Sequence, residues 1–451
     1  MITESDLKNL VSVKNTSTSD AEKLRQKIKR NKVKVSVIGL GYTGLPLCMN
    51  LADAGIEVCG IDKSAIKVKK ANNSISYISD LTNERLEKAI ESGYFNASTD
   101  YSPIEDSDVI VICVPTPLNK NMEPDLSAVK QCMKSIRQYK LKGKLVILES
   151  TTYPGTTREI ALPALNNGYL AGRDYFLAYS PERIDPGNND FGLKNTTRVV
   201  GGITKECGML AKEFFELFVN KVKFVSSSDI AEMTKLFENT FRSVNIALVN
   251  EMALMCDRMG LDVWEIMEAA ATKEYGFMPF KPGPGLGGHC IPIDPHYLSW
   301  KAKEFGFYSD FIELAGKRNA SMPYYVFSKI SDALNDQGQV LSKSKILILG
   351  VAYKKDINDL RESPALKVIE LLKKKGATIS YSDPHIENVR LNGYRFTNTA
   401  LSDELISSHD CTVIITDHTG VDYKRLLKNS KLVVDTRNVY KGIENPKIVR
   451  I

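Results

Sequence analysis

The stretch VSVIGLGYTGLPLCMNLADAGIEVCGID, Val35 to Asp62, decides the fold. A β-branched apolar run stops at Gly39, Gly41 and Gly44 follow at the start of an apolar helical segment, and a second short strand ends at Asp62. The glycines permit a tight turn, close approach of a pyrophosphate to the helix N-terminus, and packing of helix on strand; the acid accepts hydrogen bonds from an adenosine ribose. Strand, glycines, helix and acid in this order predict a dinucleotide site. Its candidate residues are Gly39, Gly41, Tyr42, Thr43, Gly44, Asp62 and Lys67. An acid at 62 favours NAD over NADP, because a 2′-phosphate would meet a like charge, and Lys63 beside it acts in the opposite sense.

Outward from this unit, short apolar strands alternate with helical segments: DVIVICVP, KLVILEST, YFLAYSP, TRVVGG and KVKFVS. That rhythm indicates a parallel, doubly wound sheet. Ligands of such sheets bind at the carboxyl ends of strands, so Pro115 at the end of DVIVICVP, Thr116 next to it and Thr151 after the strand in KLVILEST are candidates for cofactor or water contacts. Helix or turn capping is the alternative use of the two threonines. Near Ser226 the pattern becomes one long helical run, SDIAEMTKLFENTFRSVNIALVNEMALMCDRMG, apolar at i, i+3 and i+4. It is too long for a crossover helix, and a homodimer packed along 229–259 is expected. A second, smaller α/β region begins with KSKILILGVAYKKD and continues through ISYSDP, DCTVIITDHTG and KLVVDTRN.

The fold class is therefore α/β, with two Rossmann-like doubly wound domains joined by a long central helix and a helical connector. The expected boundaries are a polar extension at 1–31, which reads as solvated rather than core, a dinucleotide domain at 32–225, a helical domain at 226–329 and a second α/β domain at 330–451.

A net charge of +6 with 25% charged residues is only mildly basic, and no Lys/Arg stripe is interleaved with aromatics, which argues against nucleic acid. No apolar run reaches membrane-spanning length and the N-terminus lacks a signal peptide's apolar core, so no membrane association and a cytoplasmic location are expected. Eight scattered cysteines without a CxxC pair read as free thiols, and five histidines without metal-ligand spacing argue against a metal.

Cys290 stands apart. It lies in GPGLGGHCIPIDPHYL, Gly283 to Leu298, where glycines at 285, 287 and 288 leave the backbone open to a ligand and prolines at 292 and 295 open a helix. A thiol just before a helix N-terminus is favoured as thiolate. The loop reads as one that exposes a nucleophile. In the second α/β region, the glycine fingerprint is missing, but Lys354, Lys355 and Arg361 follow a strand in LGVAYKKDINDLRESP, which suits a phosphate-bearing substrate.

A dinucleotide site, long helix, GGHC loop and second nucleotide-like domain in this order resemble the UDP-glucose/GDP-mannose dehydrogenase family of UDP-sugar 6-dehydrogenases, over about residues 32–451. The runs FMPFKPGPGLGGHCIPIDPHYLSWKA and SPERIDPG are most similar to the branch acting on N-acetylated sugars. The resemblance implies NAD-dependent four-electron oxidation of a sugar C6 alcohol to a carboxylate through a cysteine thiohemiacetal and thioester. UDP-N-acetylglucosamine is the expected substrate, with UDP-N-acetylmannosamine or UDP-glucose as alternatives and a non-catalytic sensor of NAD and UDP-sugars as the reading outside enzymology.

By the same resemblance Cys290 is the nucleophile and Asp294, four residues on, works with it and a water. Lys235 stabilises oxyanion charge and Asn239 orients the reacting oxygen, although spacing alone would put Lys235 on the surface. Glu182 helps hydrolyse the thioester and Thr151 contacts its water. Tyr353 and Lys354 hold the UDP diphosphate, Arg361 lies near the NAD site, and Arg437, Arg183 and the backbone at Gly287 are further substrate contacts. The chain departs from the glucose-oxidising branch at Pro186, where that branch has a second glutamate, and at Glu274, where it has an arginine; Lys273 or Lys281 are candidates to complete the sugar site. His289 is read as structural or substrate-positioning rather than as a proton carrier.

Overall fold

Eight strands, β1 (Lys34–Ile38), β2 (Glu57–Ile61), β3 (Phe95–Ser98), β4 (Val109–Ile112), β5 (Leu145–Leu148), β6 (Phe176–Tyr179), β7 (Arg198–Gly202) and β8 (Val222–Phe224), form one sheet. The computed structural model describes residues 4–11, 19–78, 81–185 and 192–451. The order is β3-β2-β1-β4-β5-β6-β7-β8, and every neighbouring pair is parallel except β6 with β7. β4, β5 and β6 are buried at every position, which is why they read as unbroken apolar runs rather than alternating ones.

One expectation is corrected at the N-terminus. Helix α1 (Ser19–Lys29) is not solvated: Ala21, Leu24 and Ile28 are buried in the main core, spaced three and four apart on one face. Helix α2 (Gly44–Asp53) follows β1, and α3 (Lys205–Phe215) follows β7. Arg25 of α1 pairs with Glu206 at 2.9 Å and Glu213 at 3.0 Å on α3. The lysines that gave α1 its polar appearance occupy its outer face.

The expected long helix is present as α4 (Ser228–Met259). Contacts divide the chain into two compact units, Met1–Glu238 with Trp300–Phe307, and Asn239–Ser299 with Tyr308–Ile451. α4 and the short α5 (Asp294–Lys303) each contribute residues to both. In the second unit β9 (Lys345–Leu349), β10 (Thr378–Ser382), β13 (Cys411–Ile414), β14 (Val433–Asp435) and β15 (Ile448–Arg450) form a fully parallel sheet in the order β10-β9-β13-β14-β15; the hairpin of β11 (Asn388–Leu391) and β12 (Tyr394–Thr397) is separate. Ile346, Ile348, Val413 and Val434 pack with Val326 and Ile330 of helix α6 (Asp310–Asp336). In each sheet the order in which parallel strands are added reverses beside its first strand, between β1 and β4 and between β9 and β13, which opens a crevice at the strands' carboxyl ends. Among the described residues no helix is long and apolar enough to cross a membrane.

Candidate active site

The first crevice carries the glycine turn. Gly39 has φ +100°, and a Cβ there would lie 2.6 Å from the Cys113 carbonyl at the end of β4, so only glycine fits. Gly44 backs directly onto the Gly39 carbonyl, while a Cβ on Gly41 would meet nothing within 4 Å, leaving the space a pyrophosphate needs. Asp62 accepts from the backbone N–H of Leu40 and Ser64, each at 2.9 Å, and Lys67 Nζ is 3.5 Å away. Tyr42 is exposed and Thr43 precedes α2 without a side-chain cap bond. This geometry fits the adenosine end of a dinucleotide. Pro115 is exposed, and Thr116 donates its hydroxyl to the Thr151 backbone carbonyl at 2.7 Å, which ties two strand-end loops together.

A second cluster of the first unit surrounds Glu182. Its Oε1 accepts from the N–H of Arg183 at 2.6 Å and Ile184 at 2.8 Å, and its Oε2 from Arg198 Nη1 at 3.0 Å. Burial pushes the carboxyl above the usual range, against those N–H groups and the charges of Lys235 and Arg183. Lys235 is buried, at 8% exposure, which overturns the surface placement that spacing suggested. Arg183 is committed to Glu238 at 2.7 Å. Pro186 lies outside the described residues.

Glu232, one turn before Lys235 on α4, went unnoticed in the sequence. It is fully buried and accepts from Gly155 N at 2.6 Å, Thr157 N at 2.8 Å and Thr157 Oγ1 at 2.6 Å. It pins the loop after Thr151 to the helix that carries Lys235.

In the second unit, the Cys290 carbonyl accepts from Asp294 N at 2.8 Å, which seats the thiol's residue against the first turn of α5. Asp294 is buried and its Oδ2 lies 2.5 Å from Asn239 Nδ2, so the four-residue spacings 235–239 and 290–294 meet through one hydrogen bond. Gly285 and Gly288 have the positive φ expected of the loop, and two of its glycines also face a side chain of this chain. Cβ atoms on Gly287 and Gly288 would come 2.5 and 2.8 Å from Tyr353, so the close approach is by this chain's own tyrosine. Gly288 N also donates to the Arg361 carbonyl at 2.9 Å, while the Arg361 guanidinium is held by Asp359. His289 is pushed below the usual imidazole range by burial and by Arg361, which keeps it neutral near pH 7.

Two buried amides that the sequence left unremarked anchor the loop's start: Asn250 accepts from Gly283 N at 2.9 Å and donates to Asn319 at 3.0 Å. Gly283 also passes over Arg437, whose Nε donates to the Ile415 carbonyl at 2.8 Å. Tyr353 and Lys354 are partly buried and follow β9 at the second crevice. Their loop hangs on Asp383, which accepts from Val351 N at 2.7 Å, Ala352 N at 3.0 Å and His418 Nε2 at 3.0 Å. Lys273, Glu274 and Lys281 are exposed.

Sequence families agree with this layout. Residues 33–219 match the NAD binding domain of the UDP-glucose/GDP-mannose dehydrogenase family, 229–321 its central domain and 347–442 its UDP binding domain. The chain is 37% identical over 431 residues to the UDP-N-acetyl-D-mannosamine dehydrogenase of Methanococcus vannielii, covering 92% of this chain and 94% of that one. It is 33% identical over 361 residues to the UDP-N-acetyl-D-glucosamine 6-dehydrogenase of Salmonella typhi, covering 79% and 83%. The solved UDP-D-ManNAc dehydrogenase of Pyrococcus horikoshii superposes with a TM-score of 0.85 at 33% identity, covering 93% of this chain and 99% of that one.

Proposed function

The chain belongs to the UDP-glucose/GDP-mannose dehydrogenase family of NAD-dependent oxidoreductases, and from that premise we propose that it oxidises the C6 alcohol of a UDP-N-acetylhexosamine to a carboxylate. The observation that carries the reading is the buried Asn239–Asp294 pair seated one helical turn from Cys290. A single alcohol oxidation has no use for a nucleophile beside a buried acid; oxidation of an aldehyde does.

NAD, when bound, accepts two electrons in each of two oxidations. Between them the Cys290 thiolate adds to the C6 aldehyde and gives a thiohemiacetal, whose oxidation leaves a thioester. Lys235 stabilises the oxyanion and Asn239 orients the reacting oxygen. Water then attacks the thioester carbonyl, Glu182 takes its proton, Thr151 and Asp294 position it, and the thiol returns as leaving group. Tyr353, Lys354, Arg437, Arg183 and the Gly287 backbone are assigned to the UDP-sugar, and Arg361 to the cofactor side.

UDP-N-acetylglucosamine is the substrate read from the sequence. UDP-N-acetylmannosamine is the second reading, favoured by the names of the archaeal relatives. A homodimer is also proposed: Ile230, Phe237, Phe241, Leu248, Met255 and Met259 are exposed along one stripe of α4. The test of function is the NADH formed per mole of each sugar at limiting concentration with excess NAD. Two NADH from one acetylated sugar, lost entirely in Cys290→Ala, is the expected result. No NADH from any sugar removes the reading in favour of a sensor.

A further inference from the structure

Arg198 is the first residue of β7 and 3% exposed, a cation set in the core of the first unit. Its Nη1 bonds Glu182 at 3.0 Å, its Nη2 pairs with Glu149 Oε1, and its Nε donates to Ser180 Oγ at 3.0 Å. The guanidinium lies 4.7 Å over the Phe215 ring, so its position is set from every side. Glu149, directly after β5, is fully buried and belongs to no step of the chemistry above. Its other oxygen accepts from the Cys113 thiol at 3.5 Å, and burial holds that thiol protonated.

One guanidinium thus serves two carboxylates in a nearly dry place. Among the described residues, Lys235 and Arg183 also face Glu182 with their charges, and Arg183 is already paired with Glu238. A buried and a partly buried carboxylate sharing one buried cation cannot both be fully compensated, so the charge drawn by Glu149 is withheld from Glu182.

We infer that Arg198 and Glu149 are positioning residues that orient Glu182 and keep it basic enough to take a proton from the water that hydrolyses the thioester. Arg198 supplies orientation and enough charge for Glu182 to ionise. Glu149 limits that compensation, so the carboxylate keeps its appetite for a proton.

The inference rests on the functional reading above and makes predictions of opposite sign. The measurement is decay of acyl-Cys290 followed by intact mass across pH in the full-length enzyme, loaded by one turnover with the acetylated UDP-sugar. Glu149→Gln retains an acceptor for Arg198 while deleting the competing charge, and its acidic limb should move down by about one pH unit with slower decay on the plateau. Arg198→Gln should move the limb up by a similar amount, and Arg198→Lys should restore it towards wild type. Should Arg198→Gln not fold, Glu149→Gln and Arg198→Lys carry the test. A Glu149→Gln limb that stays put, or one that moves upward, overturns the inference. A wild type that never carries an acyl group overturns the functional reading and the inference with it.

Discussion

Asn239 Nδ2 and Asp294 Oδ2 are 2.5 Å apart, both side chains are buried, and the residues are 55 positions apart in the chain. The Asn239 NH2 donates to the Asp294 carboxylate, which fixes the carboxylate's orientation. In Asp294→Asn the new side chain turns its carbonyl oxygen to Asn239 and keeps the bond while losing the charge. A fall in kcat of about 100-fold, with KM little changed and acyl-enzyme visible by intact mass, is the expected outcome. A loss confined to KM would count against a role in the chemistry.

Glu232 makes stability depend on pH. Burial pushes its carboxyl up to about 8, against the Thr157 hydroxyl and the loop N–H groups that it accepts from. A folded-state value above the unfolded one means that the folded state binds more protons between the two values. The contribution is complete below about pH 4.5 and is lost as pH rises through about 8. Glu232→Gln removes the titration but points an amide donor at the Gly155 or Thr157 N–H. The variant is therefore less stable at pH 5, and its deficit in Tm narrows towards pH 9. A deficit independent of pH would exclude the titration.

Asp383 has the reverse sign. Burial alone would raise its pKa, but hydrogen bonds from His418 and from the backbone of Ala352 and His385 outweigh it and hold the group at about 2. Its stabilisation is present above the unfolded value near 3.8 and disappears as pH falls through about 2. Asp383→Ala leaves several buried donors without an acceptor and should cost about 3–5 kcal/mol, read as a lower midpoint in urea. Binding of UDP should weaken in parallel, because Val351 and Ala352 lead directly into Tyr353 and Lys354.

Leu248 is 57% exposed at the middle of the α4 stripe. A glutamate there would be buried without a partner in any dimer packed along this helix. Light scattering at micromolar concentration should report a dimer for the native chain and a monomer for Leu248→Glu. A native monomer would remove the proposed assembly.

Local chemistry was readable wherever consecutive residues share one task. Gly39, Gly41, Gly44 and Asp62 announce their site because a turn, a helix start and a strand end must follow one another in the chain. The reading of Cys290 as a nucleophile rests on the same kind of local pattern, since its loop leads straight into α5. Arg198, Glu149, Glu232, Asp383 and Asn250 were not. Each is a polar residue with partners remote in sequence, and no periodicity marks such a pairing.

The sequence by itself determined the alternation of strands and helices in two α/β regions, the dinucleotide turn and the family. Those follow from local sterics, hydrophobic period and spacing. Tertiary structure alone decided that Lys235 is buried, that the GGHC loop makes room for Tyr353, that α1 joins the core, and which carboxylates share Arg198. Burial and charge compensation depend on which segments pack together, and that is a property of the folded chain.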